Sequence, residues 1–137
     1  MELKDANVKL TRALPASTAA MTTASSIDTG KASSLGHQGG EHEYLLSAPL
    51  VTTAQLPDSK TFTYDIIHSD NSDLSSPVTL ISALITQTGA GGAGAAAATK
   101  KFRLPSDAKR YIGFKVTASA SGTGDASAAT ATLEGQF

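Results

Sequence analysis

Short runs of alternating apolar and polar residues recur along the chain at intervals of roughly 8–12 residues, with turn-forming residues between them. The clearest run, residues 61–68, places its large side chains on one face of a strand. Residues 110–118 do the same with Ile112, Phe114 and Val116. No helical amphipathic pattern longer than about two turns occurs. The pattern therefore predicts an all-β protein.

Two other runs carry more specific information. Residues 44–53 are strongly apolar but contain Pro49, which lacks a backbone N–H and so predicts an edge strand or a bulge. Residues 78–87 are apolar on much of both faces, which predicts a central strand. Further strands are predicted in residues 21–28, 99–104 and 128–133, after an N-terminal segment around residues 8–12. About seven or eight strands at this spacing indicate an antiparallel β-sandwich.

The chain length predicts a single domain. We expect an irregular N-terminal segment or arm over residues 1–24 and a single β-sandwich domain over residues 25–137. Within that domain, residues 69–77 (SDNSDLSSP) are rich in Asp, Asn, Ser and Pro and predict a loop.

The composition implies a thin core. Hydrophobic residues make up 40% of the chain, but 23 of them are Ala, and Trp is absent. Ala, Ser, Thr and Gly together account for about half of all residues. A buried Ala contributes far less than the roughly 1.5–3 kcal/mol of a buried Leu, Ile or Phe. We therefore expect contacts with other copies or with a lattice to add stability.

Net charge, cysteine content and apolar segments indicate which partners and which cellular compartment to expect. The net charge is −1, which gives no overall attraction to nucleic acid or to anionic membranes. There is no Cys, and no stretch approaches the roughly 20 apolar residues of a membrane helix. The N-terminus has no secretory signal pattern. The sequence predicts a soluble protein, made inside the cell, that binds neither nucleic acid nor membranes.

The segment GAGGAG matches the spacing of the dinucleotide-binding fingerprint at Gly89, Gly91 and Gly94. That motif requires a following helix inside a βαβ unit. Pro105 interrupts the segment that would form the helix, and too few residues remain for a Rossmann half. A Gly/Ala-rich loop is the favoured interpretation.

Two polar clusters contain residue types that are found in metal sites and catalytic triads. His37, Glu41 and His42 are residue types that ligate zinc, but they match no helical ligand spacing and lie among glycines, which favours a solvated loop. His68, Ser69 and Asp70 are adjacent on a strand end, where neighbouring side chains point to opposite faces and cannot form a triad. No catalytic residue, metal ligand or cofactor is predicted.

A basic cluster gives the largest local excess of charge, with two aromatic residues interleaved. Strand alternation favours a solvated face, able to meet an acidic protein surface, over a nucleic-acid site. Its members are Lys100, Lys101, Arg103, Lys109 and Arg110.

Three segments together resemble a known family. They are SSIDTG (residues 25–30), TFTYDIIHSDNSDLSSPVTL (residues 61–80) and a C-terminal stretch that contains LP-x-x-AKRYI-x-F-x-V (residues 104–116). In this order they resemble the jelly-roll cement, or decoration, proteins of tailed-bacteriophage heads. The resemblance covers roughly residues 25–137.

The resemblance implies a jelly-roll sandwich without enzymatic activity. It further implies self-association as a dimer or trimer and binding to the outer surface of the expanded head. There such a protein spans junctions of the major capsid protein and stabilises the shell. The protein would be made in the bacterial cytoplasm and would reside in the virion.

Termini and loops often order on binding, which selects candidate contact residues. The N-terminal candidates are Val8, Leu10 and Arg12, the loop candidates are Gly89, Gly91 and Gly94, and the basic candidates are Lys100, Lys101 and Arg103. Two alternative functions remain: a carbohydrate- or receptor-binding β-sandwich, and a small metal-dependent enzyme built on the histidine cluster.

Overall fold

The computed structural model describes residues 9–16, 21–22, 26–29, 43–119 and 123–136. Within these residues the chain forms β-strands and no helix. The strands are β1 (Lys9–Ala13), β2 (Met21–Thr22), β3 (Ile27–Asp28), β4 (Glu43–Ala48), β5 (Thr61–Ser69), β6 (Val78–Thr88), β7 (Ala98–Arg103), β8 (Tyr111–Ala118) and β9 (Thr130–Gln136).

The strands form two antiparallel sheets. Sheet A has the order β1-β9-β4-β7, and sheet B has the order β2-β8-β5-β6, with β3 also paired to β8. The short strands β2 and β3 both pair with β8, so they form one interrupted edge strand. Each sheet is therefore four strands wide, which confirms the predicted antiparallel β-sandwich of seven or eight strands.

The core lies between the two sheets, and it is formed by every second residue of the strands that face it. On β5, Phe62, Tyr64 and Ile66 are fully buried, and β8 supplies the three apolar residues predicted from its pattern, now also fully buried. Sheet A faces them with Leu46 of β4 and Leu133 of β9, which lie opposite each other in the ladder. The predicted core faces of β5 and β8 are confirmed.

A buried polar link joins the two sheets beside this core. Gln87 of β6 is 3% exposed, and its Nε2 donates to the carbonyl oxygens of Pro49 (2.7 Å) and Ala96 (3.0 Å). Its Oε1 accepts a hydrogen bond from the Tyr64 hydroxyl at 2.7 Å. Burial raises the pKa of the Tyr64 phenol, so the hydroxyl remains protonated and available as a donor. Because Pro49 follows β4 and Ala96 precedes β7, Gln87 fastens the edge of sheet B to sheet A.

Strand β4 differs from its prediction. It lies between β9 and β7 at the centre of sheet A, so the expectation of an edge strand is wrong. The strand ends at Ala48, and Pro49 lies just beyond it. The missing N–H of the proline therefore costs no ladder hydrogen bond.

Strand β6 also departs from its prediction, because it lies at the edge of sheet B rather than at its centre. The register with β5 changes between the pairs Tyr64–Ile85 and Ile66–Ile81, which marks a bulge. At the bulge Ala83 has a φ of 52°, and its N–H donates to Asp65 Oδ1 at 2.7 Å. A second register change follows between the pairs Ile66–Ile81 and Ile67–Thr79. Along β6 only Ile85 and Gln87 are buried, so apolar residues on both apparent faces do not mean burial on both sides.

Part of the expected N-terminal arm belongs to the sandwich. Strand β1 pairs with β9 through five residues, with Leu10 opposite Leu133. Leu10 and Leu14 are both buried, because they extend the apolar layer of sheet A. Residues 1–8, which include Val8, lie outside the described part of the chain.

The Gln87 link predicts a measurable energetic coupling. Gln87→Met should lower the free energy of unfolding by about 1–3 kcal/mol, since it removes the donor to two carbonyl groups and the acceptor for a buried hydroxyl. Tyr64→Phe should cost less, since it leaves only Gln87 Oε1 without its donor. Urea denaturation of both single variants and of the double variant measures the coupling. Strict additivity of the two effects would contradict the link.

Candidate interaction surfaces

The outer face of sheet A brings together charges from distant parts of the sequence. Directly paired residues point to the same side of a sheet. Lys101 pairs with Leu45, Leu45 with Glu134, and Glu134 with Lys9, so these four residues form one row across all four strands. We call these residues the charged row; lysines stand at both of its ends and a leucine near its middle.

The next row on this face contains an ion pair. Arg103 lies opposite Glu43, with Arg103 Nη2 at 3.5 Å from Glu43 Oε1. Both side chains are at least 40% exposed, so the pair adds little stability. The row on the other side of the charged row is made of hydroxyl residues, namely Thr11, Ser47, Thr99 and Thr132.

The predicted basic contact residues are divided between two sides of the sheet. Lys101 and Arg103 lie on the outer face, whereas Lys100 pairs with the buried Leu46 and so shares the core side of β7. Lys100 nevertheless remains exposed, because β7 is an edge strand. Arg12 is placed similarly, opposite the buried Ala131 on the core side of the edge strand β1. The five clustered cations therefore do not form one solvated face.

The Gly/Ala-rich loop between β6 and β7 is a turn tied to the rest of the domain. Gly92 donates its N–H to Asp58 Oδ1 at 2.9 Å, and Ala90 donates to the Gly94 carbonyl at 3.1 Å. Gly94 is buried with a φ of 70°, and a Cβ there would overlap the carbonyl oxygen of Val51. Gly91 also has a positive φ, but open space surrounds it. These hydrogen bonds hold the loop in one conformation, and its surface consists of Gly and Ala residues.

A second group of charges and polar groups meets at one corner of sheet B. Arg110 donates through Nε and Nη2 to the two carboxylate oxygens of Asp28, both at 2.9 Å. This bidentate contact raises the pKa of the Arg110 guanidinium. Thr29 donates both its N–H and its hydroxyl to the Arg110 carbonyl. Arg110 also lies 5.2 Å from the centre of the Tyr111 ring. Together these contacts fix β3 to the start of β8.

The loop between β5 and β6 joins the same corner. Lys109 Nζ lies 3.0 Å from Asp70 Oδ2, and the Lys109 N–H donates to His68 Nδ1 at 3.1 Å. The hydroxyl of Ser26 donates to the Ser72 carbonyl at 2.7 Å. We call residues 26–29, 68–75 and 104–111 together the corner cluster.

The turn within the corner cluster is stabilised as its composition predicted. The Ser75 N–H donates to Asp73 Oδ1 at 2.9 Å, and this hydrogen bond lowers the pKa of the Asp73 carboxyl. The Ser69 hydroxyl donates to the Ser75 carbonyl at 2.7 Å. Leu74 is 2% exposed and lies outside the main core, as does Ile67 on the outer side of β5. The loop thus carries its own buried leucine.

The residues considered for catalysis or metal binding take structural positions where the structure describes them. Of the triad candidates, His68 Nδ1 accepts from the Lys109 N–H, the Ser69 hydroxyl donates to the Ser75 carbonyl, and the Asp70 carboxylate pairs with Lys109 Nζ. The histidine cluster at residues 37–42 lies outside the described residues. Among those that are described, no group of three His, Asp or Glu side chains is placed to hold a metal ion. The described residues also contain no helix with the length and hydropathy that a membrane crossing requires.

The corner cluster could not be identified as a unit from the sequence. Asp28 and Arg110 are 82 residues apart, and no local pattern links them. The only available signal was that both lie in segments that carry the family resemblance. The chain matches no protein-family model, no curated protein and no solved structure.

Two glycine substitutions test how the β6–β7 loop is held. Gly94→Ala should destabilise the fold by about 2–4 kcal/mol, because it combines a left-handed backbone with overlap against Val51. Gly91→Ala should cost about 1 kcal/mol, because only the backbone strain applies. Thermal and urea unfolding measure both variants. Equal costs would contradict the close approach at Gly94.

The buried histidine of the corner cluster provides another test. His68→Leu should lower the free energy of unfolding by about 1–2 kcal/mol, since the partly buried Lys109 N–H loses its acceptor. His68→Asn keeps an acceptor near the Nδ1 position. Hydrogen exchange at the Lys109 amide should therefore accelerate more in His68→Leu than in His68→Asn. Equal acceleration in the two variants would show that the ring's packing, and not this hydrogen bond, holds the loop.

Proposed function

We propose that this chain is a structural cement protein of a tailed-bacteriophage head. It binds the outside of the expanded shell across junctions between major capsid protein subunits. It performs no catalysis and uses no cofactor. Its place is the outer surface of the virion, after synthesis in the bacterial cytoplasm.

The corner cluster is the observation that carries the proposal. The segments that resemble cement proteins are separate in sequence, yet residues 26–29, 68–75 and 104–111 contact one another through the Asp28–Arg110 and Asp70–Lys109 pairs. Leu104 and Ala108 of the third segment are buried in the core. The segments that carry the resemblance thus form one structural unit of the sandwich and not three separate surface features.

The strand order supports the same proposal. With β2 and β3 counted as one strand, we assign the order β1-β9-β4-β7 and β2/β3-β8-β5-β6 to the jelly-roll type. Eight-stranded, two-sheet jelly rolls occur in viral capsid proteins among others. Such a fold hosts many functions, so the order supports the cement role only together with the resemblance.

The outer face of sheet A is the surface that we assign to the shell. Its charged row runs in the order Lys9, Glu134, Leu45 and Lys101, so both signs of charge flank one apolar residue. Such a mixed pattern fits a partner surface with the complementary arrangement of charges, because electrostatic complementarity sets orientation and association rate. The β6–β7 loop, with Gly91 at its exposed tip, lies at one end of the domain and provides a second, smaller contact.

Stabilisation of the shell follows from binding linkage. A protein that binds only the expanded lattice stabilises it by RT ln(1 + [L]/Kd) per site, about 2.7 kcal/mol when its free concentration is 100 times Kd. Many symmetric sites on one shell multiply this term. The shell then resists the outward pressure of packaged DNA.

Co-sedimentation with shells tests the proposal. Shells are assembled from the major capsid protein encoded in the same genome and prepared in expanded and unexpanded forms. We expect saturable binding to the expanded form only, and a higher melting temperature of the shells that carry the protein. Equal binding to both forms, or no binding, would refute the cement role.

A matched pair of substitutions tests the assigned face. Lys101→Gln should weaken shell binding about tenfold, equivalent to about 1.4 kcal/mol, by removing a cation from the charged row. Lys115→Gln removes one charge from the outer side of sheet B and should leave binding unchanged. If Lys115→Gln weakens binding and Lys101→Gln does not, sheet B is the contact face.

A further inference from the structure

One edge of the sandwich lacks the charges that the other edges carry. Edge strands expose unpaired backbone groups, and proteins commonly protect them with charged side chains, proline or bulges; of these, β6 has only the bulge. Edge strand β1 contains Lys9 and Arg12, the interrupted edge β2/β3 contains Asp28, and β7 contains three cations. Strand β6 (VTLISALITQT) contains no charged residue and no proline over eleven residues. It is also the longest strand that the structure describes.

The core is incompletely covered along this same edge. Leu80, Ile81 and Leu84 of β6 pack against the core but remain partly exposed. Val78, at the start of β6, is 49% exposed. Strand β7 faces them from sheet A with small Ala98 and with the exposed Lys100 on its core side. The open side between β6 and β7 is therefore an apolar margin in a protein that has few large apolar residues.

We propose that β6 is a self-association strand, which pairs antiparallel with β6 of a second copy of this chain about a two-fold axis. The pairing continues sheet B across the axis into a sheet of eight strands. It satisfies the outward backbone groups of β6 and covers the apolar margin. The inference identifies the surface for self-association and rests on the fold alone, not on shell binding.

A second copy fits this edge because the strand is complementary to itself. A two-fold contact places the same surface on both partners, so any charge on the strand would meet or approach its own copy. Like charges directly opposite each other on paired strands are destabilising, and β6 has none. The register of β6 with β5 changes twice, between Ile85 and Ile81 and between Ile81 and Thr79, but regular ladder positions remain at residues 85–88 and 78–79. The Ala83 N–H lies within the first irregularity and is already bonded to Asp65. Pairing by strand addition supplies main-chain hydrogen bonds as well as apolar contact.

The test is the solution mass of the full chain without any shell protein. Light scattering on a sizing column, and sedimentation equilibrium over a range of concentrations, should show a monomer–dimer equilibrium. The variant Thr79→Lys/Thr86→Lys places two lysines on exposed positions of β6, where they approach those of the second copy. We expect its dimer dissociation constant to rise at least tenfold. Hydrogen exchange in the parent protein should show concentration-dependent protection of amides in residues 78–88.

The control adds the same charges elsewhere. Thr11→Lys/Thr130→Lys changes two exposed threonines of sheet A and carries the same loss of strand propensity, so its dimer should persist. A parent chain that stays monomeric at millimolar concentration would overturn the proposal. So would a trimer, or equal dimerisation of both double variants. Because shells are absent, a failure here leaves the cement role untouched, and a failure to bind shells leaves this pairing untouched.

Discussion

The scarcity of large apolar side chains is the constraint on which the rest of this structure depends. The chain has only seven Phe and Tyr residues and no Trp. Of the six that the structure describes, five are buried, and Tyr44 stacks on Phe102 with ring centres 5.7 Å apart across the β4–β7 pair. A sandwich with so few large residues stays closed only if almost every one points inward. A register slip by one residue in β5 would turn its apolar set to solvent, so strict alternation in that strand is a necessity.

Polar contacts hold the sheets and short strands together where the thin core supplies few apolar contacts. Gln87 joins the two sheets where no large side chain is available, and the corner cluster fastens the short β3 strand through Asp28 and Arg110. The contacts of Gln87 are buried, where an unpaired group carries a large cost. The ion pairs of the corner are exposed and individually weak. The stability of the corner rests more on its backbone hydrogen bonds and on the buried His68 and Leu74 than on its charges.

The sequence predicts the parts of the fold that local alternation encodes, and fails where tertiary context decides. The core faces of β5 and β8 could be identified because no bulge disturbs the alternation that sets them. The position of β6 could not, because the bulge at Ala83 depends on the Asp65 carboxylate of a neighbouring strand. Pro49 correctly marked the end of strand β4, which stops at Ala48. It did not predict the place of β4 in the sheet, because a proline beyond the end of a strand removes no ladder hydrogen bond.

The candidate surface was predictable only in part. Alternation along β7 is enough to separate Lys100 from Lys101, once the strand is placed. The partners of Lys109 and Arg110 were not predictable, because Asp70 and Asp28 lie about 40 and 80 residues away and only the closed fold brings them together. A run of cations in sequence is thus not a patch in space.

The strand order also sets the sequence of events during synthesis. Among the residues that the structure describes, β1 pairs with β9 alone, and β2 and β3 pair with β8 alone. Strands β1, β2 and β3 therefore have no sheet partner until β8 and β9 have been synthesised. Long-range closure of this kind slows folding and leaves apolar strands such as the one around Leu10 transiently unpaired. A delay between the synthesis of β1 and the closure of sheet A is the expected consequence of pairing β1 with β9, which lie far apart in the sequence.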